Sequence, residues 1–451
     1  MSYIPNTDAD RREMLGVVGL TALDELFEDI PAAARLERLD LPPALSEPEA
    51  FRLLRSLAGK NCEVSGYASF LGAGAYWHYI PSVVGQITGR NEFYTAYTPY
   101  QPEVSQGTLQ TIYEYQSMVA ELTGMDAANA SMYDGASALA EAMIMARAAT
   151  GRRKVTIAQS VHPHYRAVAR TYAEGPELEI VEPPAERGRT FDGRLSADLA
   201  RRHVDQETAA LIVQQPNFLG SIEDLRTLAA VAHDVGALFV VAANPVALAL
   251  LESPGAAGAD IVVGEGQPLG IPLSFGGPWL GVFAAREKYI RQMPGRIVGV
   301  TTDVEGKRGF VLTLQAREQH IRRERATSNI CTNQALCALA STVHMAALGK
   351  AGLRQVAEVC LRRAHHAAER IARLEGYALA NTAPFFHEFV LRCPVPVDDL
   401  TRRLADDGIL AGYRLGRSYP DLADALLLCV TEMNTPEDIE RLVAALEKAR
   451  G

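Results

Sequence analysis

Apolar and polar positions follow two different periods along the chain. Short apolar runs of the kind that form buried strands alternate with longer segments in which apolar residues recur every three or four positions. The strand-like runs cover residues 154–157, 177–181, 209–213, 237–241, 261–263 and 280–284. This alternation predicts an α/β fold with a mainly parallel sheet flanked by helices.

The pattern differs at the two ends of the chain. Residues 1–75 contain only short helical patterns, at 8–15 and 47–57, which prolines separate, and this stretch is predicted to be an arm. The strand–helix alternation places a large domain at residues 76–330. Residues 331–451 contain two long helical patterns, at 333–348 and 353–374, and then shorter elements, which predict a smaller C-terminal α+β domain.

The last predicted helix has a clear start. Asn434 or Thr435 can cap its free amides, Pro436 suits its first turn, and the following acidic residues suit the helix dipole.

Composition and charge exclude several classes of function. The 451 residues are 48% hydrophobic and 22% charged, as expected of a globular protein with a large core. The net charge of −10 argues against a nucleic-acid partner, because such partners favour basic surfaces. The N-terminus has no basic segment followed by an apolar run, so we expect neither export nor membrane insertion and place the chain in the cytoplasm.

The six cysteines are far apart and form no CxxC pair. The closest histidine pairs, His162/His164 and His365/His366, lack the spacing that puts two ligands on one helix face. The sequence therefore predicts no metal site.

Four motifs carry a family resemblance. They are YTPYQPEVSQG at residues 97–107, MYDGAS at 132–137, FGGP at 275–278 and RERATSNICT at 323–332. Together they resemble the N-terminal half of the glycine cleavage system P-protein, and the resemblance extends over essentially the whole chain. It implies the fold of pyridoxal-phosphate-dependent transferases, the aspartate aminotransferase-like fold type I.

The resemblance also implies a reaction and its partners. A chain of this length matches one half of the single-chain P-protein, so a separate beta subunit is expected, in an α2β2 assembly. The complex would take glycine as substrate, release its carboxylate as CO2 and pass the aminomethyl group to the lipoyl arm of H-protein.

Enzymes of this fold need a lysine beyond a strand to hold the cofactor and an upstream acidic residue at the pyridine nitrogen. The chain has six lysines, and none lies in residues 260–267, where the resemblance places that lysine in the catalytic half. The upstream strand ends at neutral Asn244, which cannot hold a pyridinium proton by charge. We therefore predict a degenerate cofactor site made of Gly135, Ala136, Ser137, Asn244 and Gln267, with pyridoxal 5'-phosphate on the partner. Gly135 to Ser137 open a helix whose free amides still suit an anion, or form a plain helix start.

The segment from Tyr94 to Gly107 is unusually aromatic and polar. Pro99 and Pro102 prevent a regular helix there and hold the polar groups in a fixed loop. Under the resemblance, this loop reaches the active site of a neighbouring subunit. The predicted pocket residues are Tyr94, Tyr97, Thr98, Tyr100, Gln101 and Ser105. The alternative is a connecting turn whose tyrosines pack on the sheet.

Three arginines near the end of the large domain could bind an anion. Arg317, Arg323 and Arg325 lie close in sequence, and guanidinium groups pair well with carboxylate or phosphate. A solvated face or a subunit contact explains such a run equally well.

Two other functions stay open from the sequence. The chain could be an independent pyridoxal-phosphate-dependent decarboxylase or lyase that uses Lys307, or a noncatalytic scaffold. Under the reading that the resemblance implies, no catalytic residue is assigned to this chain.

Overall fold

The computed structural model describes residues 5–36, 39–61, 63–184 and 190–450. It divides into two compact units, the first ending at Glu63 and the second beginning at Val64. The first unit contains helices α1 (Asp8–Val17) and α2 (Glu47–Ala58), with 3-10 turns at Leu23–Phe27 and Ala32–Ala34. Both helices were predicted from the sequence. Thr7 and Asp10 cap α1 reciprocally, since each accepts a hydrogen bond from the backbone N–H of the other.

The second unit begins with a short 3-10 turn at Val64–Gly66, and its remaining 3-10 turns are Ala247–Ala249, Glu287–Gln292, Gln315–Arg317, Arg323–Arg325, Leu415–Arg417 and Pro420–Leu422. Its helices are α3 (Ser82–Thr88), α4 (Asn91–Tyr94), α5 (Gln106–Thr123), α6 (Gly135–Thr150), α7 (Pro163–Glu174), α8 (Ala197–His203), α9 (Leu225–Asp234), α10 (Gln319–Arg322), α11 (Ala335–Ile371), α12 (Val397–Asp406) and α13 (Pro436–Ala449). Its strands are β1 (Ala68–Ser69), β2 (Ala127–Ala128), β3 (Lys154–Ile157), β4 (Glu179–Val181), β5 (Thr208–Gln215), β6 (Leu238–Ala243), β7 (Ile261–Glu265), β8 (Gly281–Ala285), β9 (Ile297–Thr302), β10 (Arg308–Thr313), β11 (Ala378–Leu379), β12 (Glu388–Arg392), β13 (Ile409–Leu410), β14 (Tyr413–Arg414) and β15 (Ala425–Cys429).

A seven-stranded sheet with the order β2-β8-β7-β6-β5-β3-β4 forms the centre of the second unit. Strands β4, β3, β5, β6 and β7 run parallel, and β8 and β2 join antiparallel at one side. All six predicted strands overlap observed ones, so the mainly parallel sheet is confirmed. Strands β5, β6 and β7 are buried along nearly their whole length because helices cover both faces of such a sheet.

The C-terminal part carries a separate four-stranded antiparallel sheet with the order β11-β12-β15-β14. Helices α12 and α13 pack on it through Leu400, Leu404 and Leu442, within a second hydrophobic cluster. Thr435 caps α13 through its hydroxyl, which accepts from the backbone N–H of Asp438 at 3.1 Å. The predicted start of this helix is confirmed, with Thr435 as the cap.

The longest helix, α11, is interrupted inside its range. Gly349 has φ 60° and ψ −178°, so two helical segments meet there, as the sequence pattern predicted. By length and composition alone, α11 is long and apolar enough to cross a membrane. Leu339 and Met345 from this part of α11 are buried in the protein, as in the core helix of a globular domain.

Candidate functional site

The parallel strands end at a small cavity, called the central cleft here. It lies beside the start of α6 and the ends of β6 and β7, where α/β sheets usually bind ligands. Its walls include Tyr76, His162, Tyr165, Asn244, Glu265 and Pro268. The cavity volume is about 30 Å³, which is room for about one water molecule and far below the ~300 Å³ of small ligand pockets.

Glu265 occupies the anion-binding end of this cleft. Its carboxylate accepts hydrogen bonds from the backbone N–H groups of Gly135 at 3.0 Å, Gln267 at 3.0 Å and Leu280 at 2.9 Å. Burial raises the pKa of the Glu265 carboxyl to about 7, although these three N–H groups lower it. The first amide of α6 is therefore already bound to an acidic group of the same chain.

The remaining start of α6 is an ordinary helix cap. Asp134 accepts from the backbone N–H of Ser137 at 2.7 Å and closes a capping box with it. The hydroxyl of Tyr165 would lie 2.0 Å from a Cβ at position 135, so only glycine fits there. In the predicted phosphate cradle of Gly135, Ala136 and Ser137, the amides of Gly135 and Ser137 thus already bind carboxylates of this chain.

Gln267 lies just beyond β7, in the stretch where the sequence resemblance places the cofactor lysine of the catalytic half. Its side chain accepts from the backbone N–H of Tyr76 at 2.8 Å and donates to the carbonyl groups of Tyr76 at 2.9 Å and Ile271 at 2.8 Å. The residue is 2% exposed, so these bonds are sheltered from water. Gln267 acts as a clamp between two backbone segments and offers no nucleophile.

Asn244 lies beyond β6 and closes the turn that follows. Its side-chain oxygen accepts from the backbone N–H of Val246 at 3.0 Å, and its buried amide nitrogen has no partner among the described residues. His162 and Tyr165 fill the adjoining space with stacked rings 5.1 Å apart. As these side chains stand, pyridoxal phosphate does not fit the central cleft.

The second site is a cavity of about 190 Å³ beside the loop of residues 94–107, called the tyrosine cavity here. Tyr94, Tyr97 and Thr98 line it, together with Phe93, Arg296 and Asn333. Tyr97 is 92% exposed and Tyr94 67% exposed, which is unusual for aromatic side chains. The structure thus brings three of the six predicted pocket residues to one cavity.

The other three predicted pocket residues lie outside the lining of the tyrosine cavity. The hydroxyl of Tyr100 accepts from the Arg296 guanidinium at 3.4 Å, so Tyr100 borders the cavity. Gln101 is exposed, and Ser105 precedes α5 without a side-chain cap.

Arg296 is a candidate that the sequence analysis missed. It is 5% exposed, and its guanidinium donates to the carbonyl of Cys331 at 2.7 Å and to the side chain of Asn333 at 3.3 Å. Its Nε has no partner, and within the described part of the chain no carboxylate pairs with it. A buried cation without a counter-ion is costly, so this group is suited to an anionic ligand.

Comparisons with known proteins identify the family of this chain. The family model described as "Glycine cleavage system P-protein" matches residues 1–446. The chain belongs to the P-protein family. The resemblance seen in the sequence motifs is therefore confirmed.

The relatives match over the full length. Proteins called "Probable glycine dehydrogenase (decarboxylating) subunit 1" from Moorella thermoacetica and Desulforamulus reducens are 54% and 56% identical, each over 99% of both chains. A crystal structure of glycine decarboxylase (P-protein) in an inhibitor-bound form superposes with a TM-score of 0.90 at 45% identity, covering 100% of both chains. The name "subunit 1" of the relatives implies a second subunit in their assemblies.

More distant structures share only the fold. A glutamate decarboxylase from Lactobacillus brevis superposes with a TM-score of 0.68 at 14% identity, over 95% of this chain and 96% of that chain. The fold is the fold type I of pyridoxal-phosphate-dependent enzymes, as predicted.

The arginines of this P-protein chain separate into two kinds. Arg317 donates to the backbone carbonyl groups of Met293 and Gly295, and it thereby holds the segment that leads to Arg296. Arg323 and Arg325 are exposed, and Arg325 lies 4.0 Å from Glu324. Of the three predicted arginines, Arg323 and Arg325 are thus the ones exposed to an external anion or partner.

Lys307, the candidate for an independent enzyme, lies on the turn between β9 and β10. Its side chain is 74% exposed and pairs with Glu305 at 2.6 Å. It does not line the central cleft.

Proposed function

We propose that this chain is subunit 1 of a heteromeric glycine dehydrogenase (aminomethyl-transferring, decarboxylating) of the glycine cleavage system. The complex breaks the bond between the α-carbon and the carboxylate of glycine and releases CO2. The aminomethyl carbon forms a new bond to one sulfur of the lipoyl disulfide on H-protein, and the other sulfur leaves as a thiol. The disulfide is the oxidant, so the reaction needs no other.

The observation that carries the proposal is that Glu265 occupies the anion-binding end of the central cleft and Gln267 stands just beyond β7. Glu265 already binds the helix amide that a phosphate would need, and a fully hydrogen-bonded amide stands where the family's catalytic half has its lysine. This supports a beta subunit that carries both the lysine and pyridoxal 5'-phosphate. The two kinds of chain are proposed to join as α2β2.

The tyrosine cavity is proposed to complete the active site of the beta subunit. Tyr94 and Tyr97 expose apolar rings that a second subunit would cover, and Tyr hydroxyls can position a small polar substrate. The guanidinium of Arg296, whose Nε has no partner and which pairs with no carboxylate among the described residues, is proposed as the counter-ion for the carboxylate of glycine. Arg323 and Arg325 are proposed to contact the partner subunit or an anion. We place the complex in the cytoplasm, with lipoylated H-protein as its second partner.

Two alternatives have less support. An independent enzyme that uses Lys307 is disfavoured because this lysine lies on an exposed turn. A noncatalytic scaffold leaves the exposure of Tyr97 and the unpaired state of Arg296 unexplained.

The test is CO2 release from carboxyl-labelled glycine with lipoylated H-protein present. We expect no release from this chain alone and full activity after the beta subunit is added. In the complex, Tyr97→Phe lowers turnover, while Tyr79→Phe, an exposed tyrosine outside the cavity, leaves it unchanged. Release of CO2 by the isolated chain would overturn the assignment of the chemistry to the partner. Equal turnover of the two variants would instead favour a scaffold.

A further inference from the structure

Three potential metal ligands meet in the second unit, where the ring of His78 lies 6.3 Å from that of Tyr76, a residue of the central cleft. His78 lies in the segment after β1, Cys360 lies on α11, and Glu432 lies between β15 and α13. One donor atom from each residue lies within 4.8 Å of the other two. None of the three residues lines the central cleft or the tyrosine cavity. No sequence spacing could predict this cluster, because the residues are far apart along the chain.

The contacts within the cluster are short and directed. The Nδ1 atom of His78 lies 2.7 Å from Oε2 of Glu432, and the thiol of Cys360 lies 3.2 Å from the same oxygen. The second carboxylate oxygen accepts from the backbone N–H of Tyr79 at 2.7 Å. Glu432 is thus held in place and directs one oxygen at both the imidazole and the thiol.

The surroundings are deeply buried and contain imidazole nitrogens without partners. Cys360 is 0% exposed and His78 is 7% exposed. The Nε2 atom of His78 and both ring nitrogens of His387 lack a partner among the described residues, and the His387 ring lies 6.5 Å from the His78 ring. Buried polar atoms are usually paired, so the region around the cluster holds more imidazole nitrogens than the described residues satisfy.

We propose that His78, Cys360 and Glu432 bind one zinc ion. Thiolate, imidazole and carboxylate together are the ligand set that zinc prefers, and they disfavour magnesium and calcium. In a tetrahedral site with bonds of about 2.0–2.3 Å, the donor atoms lie roughly 3.3–3.8 Å apart. The observed separations of 2.7 Å and 3.2 Å are shorter than this range, so these donor atoms would move apart by about 0.5 Å to admit the ion.

The charge balance also suits a divalent ion. A thiolate and a carboxylate carry two negative charges, which neutralise Zn²⁺ and avoid a net buried charge. On binding, sulfur, nitrogen and oxygen each form one bond to the metal. The thiol proton leaves to solvent, and the ring proton of His78 is carried on Nε2, so that Nδ1 binds the metal and the imidazole stays neutral. Such an ion would join three segments that lie far apart in the sequence, and it would stabilise their packing.

The test uses the full chain, stripped of metal with a chelator and then titrated with Zn²⁺ against a chromophoric competitor. We expect one tightly bound zinc per chain, and binding weaker by a factor of about 100 or more in Cys360→Ser and in Glu432→Gln. Cys393→Ser is the matched control, because Cys393 is also buried but lies outside the cluster. Replacement by Co²⁺ should give a thiolate-to-cobalt absorption band in the near ultraviolet.

The wild-type cobalt spectrum decides the question even if a variant fails to fold. A chain that binds no zinc, or that binds cobalt without a thiolate band, overturns the proposal. The same holds if Cys393→Ser loses the metal as completely as Cys360→Ser.

Discussion

Replacing Gln267 with methionine tests how firmly the central cleft is closed. Methionine has a similar volume, so the change removes hydrogen bonds and leaves no large cavity. Three bonds from the side chain to Tyr76 and Ile271 are lost. At about 1 kcal/mol net for each bond, Gln267→Met should lower the free energy of unfolding by about 3 kcal/mol. The entropy of unfolding of a chain this long is about 0.9 kcal/mol/K, so the melting temperature should fall by about 3 °C.

Differential scanning calorimetry of the isolated chain measures this shift. Gln206→Met is the matched control, because Gln206 is exposed on the loop before β5, and it should melt within about 1 °C of wild type. If Gln267→Met melts with the control, the side chain of Gln267 does not clamp Tyr76, and the reasoning about a closed cleft fails.

Three further predictions follow from individual side chains. The variant Gln267→Lys introduces the missing amine but should not create a cofactor site, because Glu265 still binds the amide of Gly135. A pyridoxyl label at position 267 after treatment with pyridoxal phosphate and borohydride would contradict this. Burial raises the pKa of the Glu141 carboxyl to about 7, although a hydrogen bond from Ser328 lowers it. The folded protein is therefore more stable when this carboxyl is protonated. The contribution to the free energy of unfolding is complete below about pH 4.5. It falls by about 3 kcal/mol as the pH rises from there through 7. The melting temperature of Glu141→Gln relative to wild type should therefore increase between pH 5 and pH 8. If the melting temperatures of the two proteins change with pH in parallel, this prediction is wrong. In the reconstituted complex, Arg296→Lys should lower kcat/KM for glycine at least about tenfold. Arg325→Lys, on the exposed surface, should leave kcat/KM unchanged. Equal effects of the two variants would show that Arg296 does not bind substrate.

The sheet could be predicted because its strands are buried on both faces. Residues 209–213 and 261–263 are continuous apolar runs, and they lie within β5 and β7. The kink at Gly349 was also visible, as a gap between two helical patterns. Local patterns of this kind depend on residues that are close in the sequence.

Features that depend on distant residues could not be predicted in the same way. The absence of a lysine after β7 is readable from the sequence, but the use of Glu265 as a substitute anion depends on the position of α6, 130 residues away. Arg296 resembled an ordinary residue at a strand start, and only the structure shows that it has no counter-ion. The exposure of Tyr97 likewise follows from the tertiary path of its loop.

The position of the cofactor tests the central claim most directly. The complex of this chain with the beta subunit is reduced with borohydride, digested and mapped by mass spectrometry for pyridoxyl-lysine. We predict the label on a single lysine of the beta subunit and none on the six lysines of this chain. A labelled lysine in this chain, at Lys307 or elsewhere, would contradict the account.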